Sequence, residues 1–225
     1  MVSGESSGLT SGDERPLNVR LLAVADEVSP VIYSHNFPGN LPPFDLVLGA
    51  GDLPGQTLEF IATKVRVPVA FVLGNHAEGY VSGPDAEPQP PGGCLDAHLR
   101  LLEIGGLSVL GVEGSARYRD GPHQYSERQF ARMLARLAPR LWARKRRYGR
   151  GVDVLLTHAP PVGPTAGDDH AHRGVPAFND FHRRWLPRAH VHGHVHLSGS
   201  SAERLHTTAE GVRVVNAFQF TLIDL

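Results

Sequence analysis

The stretch "FDLVLGAGD" (residues 44–52) carries the pattern that decides the fold. An apolar run passes into small, glycine-rich turn residues and ends in Asp52. The same plan occurs in "VRLLAVA" (19–25), which precedes Asp26, and in "VPVAFVLGNH" (67–76). Nearly continuous apolar strands are typical of a sheet that is covered on both faces. The pattern therefore predicts an α/β fold whose parallel strands end in polar residues.

The remaining segments supply helices and further strands. "GQTLEFIATKV" (55–65) predicts a short crossover helix, and residues 127–148 predict a long helix. Pro139 lies inside the long helix, so we expect a kink or two consecutive helices. Two apolar runs, 107–115 and 152–161, predict strands, and a run of late strands without intervening helices follows.

Composition indicates an ordinary globular protein. The chain has 225 residues, 41% of them hydrophobic, and a formal net charge of −1, which points to neither nucleic acid nor membrane. The single cysteine excludes an intrachain disulfide and fits a reducing compartment. The first residues lack the apolar core of a signal peptide. We therefore expect a disordered tail over 1–17, one domain over 18–225, and a cytoplasmic location.

Polar side chains follow five of the predicted strands. In open α/β sheets the carboxyl ends of the strands form the ligand crevice, so we expect these side chains to meet. Carboxylates, amide oxygens and imidazoles suit borderline divalent metals, and a bridging carboxylate lets two ions share one site. Cysteine ligands are absent from the set, which argues against a structural zinc site. The residues are Asp26, Asp52, Asn75, His76, His158, His194 and His196.

The last of these strands carries a histidine at every second position. In "AHVHGHVH" (189–196), four imidazoles could share one face of a strand. Taken alone, the pattern is compatible with a metal site, a histidine-rich surface or a mixture of the two.

Four short motifs in order give the chain a family resemblance. "GD" (51–52), "GNH" (74–76), "TH" (157–158) and "GHVH" (193–196) resemble the calcineurin-like metallophosphoesterase family, over about Val19 to Leu225. The resemblance implies a four-layer α/β/β/α sandwich with a dinuclear metal centre at the strand ends.

The resemblance also implies roles for individual residues. His76 would protonate the leaving oxygen or stabilise charge on the phosphoryl group. Apart from the resemblance, His192 lies upstream of "GHVH" within the strand, so we expect it to support the ligands by packing or hydrogen bonding. The two divalent ions would be Mn, Fe, Zn or Co. Asp52 would bridge them, with Asp26 and His196 holding the first ion and Asn75, His158 and His194 holding the second.

The chain departs from the family pattern at three positions. Val28 stands where the first Asp-x-His motif has a histidine, so the first ion is expected to bind weakly. Gly55 and Ala77 replace two carboxylates that normally orient the catalytic histidine. Glu78 follows at once and is the expected substitute for the second of these.

Two loops offer further site residues. "GDDHAHRG" (167–174) contains His170 and His172, which would either replace the missing ligand or contact the substrate, unless the segment is a polar surface loop. "EGSARYRDG" (113–121) contains Arg117, a candidate phosphate clamp or an ordinary surface ion-pair partner.

The long helix carries an arginine stripe. Five arginines recur four residues apart, and nine of the 22 basic residues of the chain lie between 128 and 150. Such a stripe is either a solvated face or a surface for nucleic-acid phosphates. The five residues are Arg128, Arg132, Arg136, Arg140 and Arg144.

These features predict a metallophosphoesterase that hydrolyses a phosphodiester or phosphomonoester of a small molecule through a metal-bound hydroxide. Two other functions remain open. One is a metal-binding sensor or interaction protein with weakened catalysis. The other is a nuclease that uses the arginine stripe, although nucleic acid is not the favoured partner and no membrane partner is expected.

Overall fold

The computed structural model describes residues 18–76, 89–198 and 201–225. The predicted tail (1–17) and Glu78 lie outside these residues. The described helices and strands, in chain order, are β1 Arg20–Ala25, β2 Leu46–Gly49, α1 Gly55–Lys64, β3 Val69–Phe71, β4 Leu95–Asp96, β5 Leu101–Ile104, β6 Leu107–Val112, β7 Ser115–Ala116, β8 Gln124–Tyr125, α2 Glu127–Tyr148, β9 Val154–Thr157, α3 Pro176–Trp185, β10 Ala189–His192, β11 Leu205–Thr207, β12 Arg213–Asn216 and β13 Gln219–Asp224.

The strands form two main sheets and one short ribbon. The first sheet has the order β13-β1-β2-β3-β4, in which β1 to β4 are parallel and β13 pairs antiparallel with β1. The second has the order β11-β12-β10-β9-β6-β5, with β12, β10, β9 and β6 parallel. β7 and β8 pair with each other. The predicted α/β class is confirmed.

The core lies on both faces of each sheet because strand side chains alternate. Along β1, Leu21 and Ala23 belong to an apolar cluster shared with strands of the six-stranded sheet, whereas Leu22 and Val24 pack in a cluster with residues of α1. In the six-stranded sheet, Leu155 joins a third cluster with residues of α2 and α3. Apolar runs without polar interruptions are needed to fill all three clusters.

The long helix is continuous. It runs over Glu127–Tyr148 with Pro139 inside it, so the prediction of two separate helices is wrong. Pro139 is exposed, where the carbonyl that loses its partner can bond to water. Gly149, with φ of 77°, ends the helix in a left-handed residue.

The five arginines of the stripe do not all lie on one face of α2. A step of four residues rotates the direction of the side chain by about 40°, so five arginines turn through about 160°. Arg128, Arg132, Arg136 and Arg140 are exposed. Arg144 instead lies half-buried and pairs with Glu103. The prediction of a continuous stripe from 128 to 144 is therefore wrong at its last member.

Helix α3 was missed in the sequence, although it carries recognisable signals. Pro176 is its first residue, a position where the absent N–H is not needed. Phe178, Phe181 and Trp185 follow at spacings of three and four and are buried against the six-stranded sheet. None of the described helices has both the length and the apolar character needed to cross a membrane.

Candidate metal centre

The candidate site lies where the carboxyl ends of strands from both sheets meet. Asp26 and Asp52 follow β1 and β2, and Asn75 follows β3 in the five-stranded sheet. His158 and His194 follow β9 and β10 in the six-stranded sheet. Asp26, Asp52 and His194 have positive φ values of 65°, 53° and 68°. The chain thus turns sharply at each of these three ligands, away from the strand direction.

Glycines make the close approach possible. A Cβ on Gly74 would lie 1.9 Å from Asp52 Oδ1, and a Cβ on Gly51 would lie 2.5 Å from His158 Nδ1. A Cβ on Gly193 would lie 2.8 Å from the carbonyl oxygen of Ala50. The glycines of the "GD", "GNH" and "GHVH" motifs therefore leave space in which the ligands pack against backbone.

Three potential ligands converge at the centre of this edge. Among the described residues, Asp52, His158 and His194 each offer an atom within 4.8 Å of the others. His158 and His194 are buried, with ring centroids 4.8 Å apart. Asn75 joins them, because its Oδ1 lies 3.1 Å from His158 Nε2.

One ring nitrogen of His158 donates a hydrogen bond, and the other, an acceptor, faces two oxygen atoms that are also acceptors. Its Nδ1 lies 2.8 Å from the carbonyl oxygen of Ala50, so Nδ1 carries the proton of the neutral ring. Its Nε2 then faces Asp52 Oδ2 at 3.1 Å and Asn75 Oδ1 at 3.1 Å. A neutral His158 would hold three lone-pair atoms against one another. A cation between them removes that conflict, so this donor set fits a divalent metal ion.

The pKa values of this pair reflect the same conflict. Burial lowers the pKa of His158, but the hydrogen bond and charge of Asp52 outweigh it and raise this pKa above its ordinary value. Burial raises the pKa of Asp52, but His158 and the backbone N–H of His76 lower it to about 2. Asp52 and His158 thus each favour the charged form of the other.

A hydrogen bond fixes which ring nitrogen of His194 carries the proton. Its Nε2 lies 3.0 Å from the carbonyl oxygen of Ala171 and donates to it, which leaves Nδ1 as the lone-pair nitrogen. Burial lowers the pKa of His194 to about 3, so the ring is neutral at neutral pH. A neutral imidazole held by a hydrogen bond on its other nitrogen is the form that binds metals.

The residues expected to hold the first ion are less well gathered. Both oxygens of Asp26 accept the backbone N–H of His194, at 2.9 and 3.1 Å, and burial raises the pKa of Asp26 to about 6. The ring of His196 is about half exposed, lies 4.8 Å from the ring of Phe218 and has its Nδ1 3.8 Å from Glu27. Val28 is 39% exposed and offers no ligand atom. This side of the site therefore has fewer well-placed ligand atoms than the side around His158.

The catalytic candidate borders the same cleft. A cleft of about 800 Å³ is lined by Asp26, Asp52, His76, His172 and His194, among others. The backbone N–H of His76 donates to Asp52 Oδ1 at 2.8 Å, which fixes the main chain beside the metal ligands. The imidazole of His76 is exposed, as a group that meets a substrate must be.

The three candidate residues from the two loops differ in their position relative to the cleft. His172 lines the cleft, its ring 4.7 Å from that of His194, and its Nδ1 bonds Asp169 at 2.7 Å. His170 is exposed and does not line the cleft. Arg117 lies outside the cleft as well, with its Nη2 3.4 Å from the carbonyl oxygen of Gln124.

The two buried histidines of β10 make separate hydrogen bonds. His192 donates through Nδ1 to the carbonyl oxygen of Gly193, at 2.9 Å. His190 Nε2 lies 2.7 Å from Thr157 Oγ1, and its Nδ1 lies 2.8 Å from His182 Nε2. Because Thr157 Oγ1 donates to the carbonyl oxygen of Ala159, it accepts from His190, which in turn accepts from His182. This chain holds the end of β9, one residue before His158.

Two site residues were missed in the sequence. Tyr118 lines the cleft and accepts a hydrogen bond from Asn75 Nδ2 at 3.0 Å. Arg119 Nη2 lies 3.4 Å from His76 Nδ1. Both come just after Arg117 in "ARYR". Because alternation along an extended chain places Arg117 and Arg119 on the same side, no local signal in the sequence separates the two arginines.

Comparison with known proteins agrees with this geometry. A family model described as calcineurin-like phosphoesterase matches residues 21–198. No curated protein shows significant similarity to the chain. One crystal structure has a TM-score of 0.61 at 13% identity, covering 92% of this chain and 95% of the other. The crystal structure of TT1561 of Thermus thermophilus has a TM-score of 0.54 at 12% identity, covering 92% and 98%. At these identities the likeness to solved structures extends to the fold alone.

Proposed function

Because the chain belongs to the calcineurin-like phosphoesterase family, we propose that it catalyses metal-dependent hydrolysis of a phosphoester carried by a small molecule. The observation that carries the proposal is the convergence of His158 Nε2, Asp52 Oδ2 and Asn75 Oδ1, three acceptors that a cation would reconcile. The cleft of about 800 Å³ supports a substrate of small-molecule size.

We further propose two metal positions of unequal strength. Asp52, Asn75, His158 and His194 would hold the tighter ion. A weaker one would depend on Asp26, Asp52 and His196, since Val28 contributes nothing. Bound divalent ions supply an activated water and neutralise charge on the phosphoryl group.

The side chains of the protein have separate tasks in this proposal. Asp52 accepts the backbone N–H of His76 and so keeps the catalytic candidate next to the metal ligands. His76, exposed beside the ligands, donates a hydrogen bond or a proton to the leaving oxygen. His172 borders the cleft, with its ring 4.7 Å from that of His194, and would contact the substrate rather than the tighter ion.

The test is turnover of a generic aryl phosphomonoester and an aryl phosphodiester by metal-stripped protein reloaded with Mn²⁺, Fe²⁺, Zn²⁺ or Co²⁺. We expect metal-dependent hydrolysis that Asp52→Asn abolishes together with tight metal binding. His76→Asn should retain metal binding and lose about 10²- to 10⁴-fold in kcat.

Tight metal binding without turnover of either ester under any of these metals would contradict the proposal. That result would favour a metal-binding sensor or interaction protein. The nuclease alternative would use the exposed arginines of α2, from which Arg144 is withdrawn by its ion pair with Glu103.

A further inference from the structure

Residues 115–125, called here the recognition arm, lie beside the candidate site. The arm consists of β7, β8 and the turn between them. Gln124 is 4% exposed, and its Oε1 accepts the backbone N–H groups of Tyr118 and Arg119 at 3.2 and 3.3 Å. A buried amide thus fixes the part of the turn that carries these two side chains.

A second anchor fixes the base of the arm. Glu113, 9% exposed, accepts from Tyr125 Oη at 2.6 Å and from His123 Nδ1 at 3.0 Å. Its backbone N–H donates to His98 Nδ1 at 3.1 Å. Buried polar contacts therefore hold both the turn of the arm and its carboxyl end.

The tip of the arm contacts two residues of the site. Tyr118 Oη accepts from Asn75 Nδ2 at 3.0 Å, which leaves Asn75 Oδ1 directed at His158. Arg119 Nη2 donates to His76 Nδ1 at 3.4 Å, because a guanidinium has no acceptor. The proton of the neutral His76 ring then lies on Nε2. The arm thus orients one metal-ligand candidate and the catalytic candidate together.

The charge of Arg119 contrasts with the rest of the site. Four carboxylates line the cleft, on Asp26, Asp52, Asp168 and Asp169. Arg119 is exposed, and in the described part of the chain His76 is the single hydrogen-bond acceptor for its guanidinium. Its other N–H groups therefore face solvent beside His76. These donors are therefore available to an anionic group that binds beside His76.

We propose that Arg119 is a phosphate-binding residue, whose guanidinium donates to a nonbridging oxygen of the bound phosphoester next to His76. The inference rests on the proposed function for the identity of the ligand. Arg119 takes the part that the sequence suggested for Arg117, whose guanidinium is bonded to Gln124 and Gln129 and not to His76. A planar guanidinium suits phosphate oxygens in geometry and charge.

Binding of inorganic phosphate to the Mn²⁺-loaded full chain, followed by calorimetry, tests the proposal without turnover. We expect Arg119→Ala to weaken phosphate binding about ten- to a hundredfold, the range for a hydrogen bond to a charged group. Arg119→Lys should recover part of the loss. Arg117→Ala is the matched control, two residues away and also exposed, and should stay within about twofold of the unmodified protein.

Kinetics with the aryl phosphomonoester separate binding from positioning. Phosphate binding requires that Arg119→Ala raise KM. If that variant lowers kcat alone and leaves phosphate affinity unchanged, Arg119 only positions His76 and the proposal is overturned. Equal losses in Arg117→Ala would overturn it as well. Phosphate binding that depends on Arg119 in a protein without turnover would preserve this inference while refuting the proposed hydrolysis.

Discussion

Val28 stands on the side of the site where an imidazole would complete the set around Asp26. An isopropyl group has no lone pair, and Asp26 meanwhile uses both oxygens to accept the N–H of His194. The raised pKa of Asp26, about 6, reflects a buried carboxylate without a sufficient cationic partner. At the residue scale, one substitution in the motif changes the expected metal content of the whole protein.

Restoring the imidazole should restore the ion. We expect Val28→His to raise the metal content measured by mass spectrometry from about one toward two ions per chain, because it adds one ligand beside Asp26. Val31→His is the matched control, since Val31 has the same 39% exposure but lies outside the motif. Two ions in the unmodified protein, lost in His172→Ala, would show instead that the loop supplies the missing ligand.

At the element scale, α2 and α3 use proline in opposite ways. Pro139 lies in the middle of α2, where its missing N–H removes a helix hydrogen bond. Pro176 opens α3, where the first N–H groups have no partner within the helix in any case. The same residue type is thus unfavourable in one helix and compatible with the other.

Pro139→Ala should therefore stabilise the protein. We expect the free energy of unfolding in urea to rise by about 1–3 kcal/mol, because alanine restores the hydrogen bond and has the higher helix propensity. Pro176→Ala, the control, should change it by less than about 1 kcal/mol. An unchanged or lower stability of Pro139→Ala would mean that the helix has adapted its packing to the proline.

A helix or strand can be predicted from the sequence when its signal lies within one segment of the chain. The strands ending at Asp52, Asn75 and His158 and the helix 127–148 were found because an apolar run or a long amphipathic period is visible within one segment. Helix α3 was missed because ten residues hold few turns. The orientation of Arg144 and the contact of Arg119 with His76 depend on pairings between distant segments, which no local pattern contains.

At the scale of the whole molecule, buried histidines make stability depend on pH. His182, His190 and His192 lie within the core of the six-stranded sheet and are 1% exposed or less. Burial lowers the pKa of His182 from 6.5 to about 4, and that of His192 to about 4 as well. A buried neutral imidazole must take up a proton at acid pH, and the unfolded chain takes it up more readily.

The metal-free protein should consequently lose stability as the pH falls from about 6.5 to 4. A lowered pKa in the folded state gives a contribution that is fully present above the unfolded value and lost as the pH falls through the folded value. For His182 it amounts to about 3 kcal/mol, measured as free energy of unfolding in urea at each pH.

His182→Gln should reduce this pH dependence, since its amide can still donate to His190 without titrating. The control is His170→Gln, which changes an exposed histidine and should keep the slope of the unmodified protein. Identical slopes for the unmodified protein and His182→Gln would contradict the assignment.

The ligand set draws on both sheets at once. Asp52 and Asn75 come from the five-stranded sheet, whereas His158 and His194 come from the six-stranded sheet. An ion shared by these side chains is a crosslink across the apolar layer that separates the sheets, and its binding free energy adds to that of folding. Metal supply would then govern the lifetime of the protein in the cell as well as its chemistry, because a chain deprived of its ion unfolds more readily and is exposed to proteolysis.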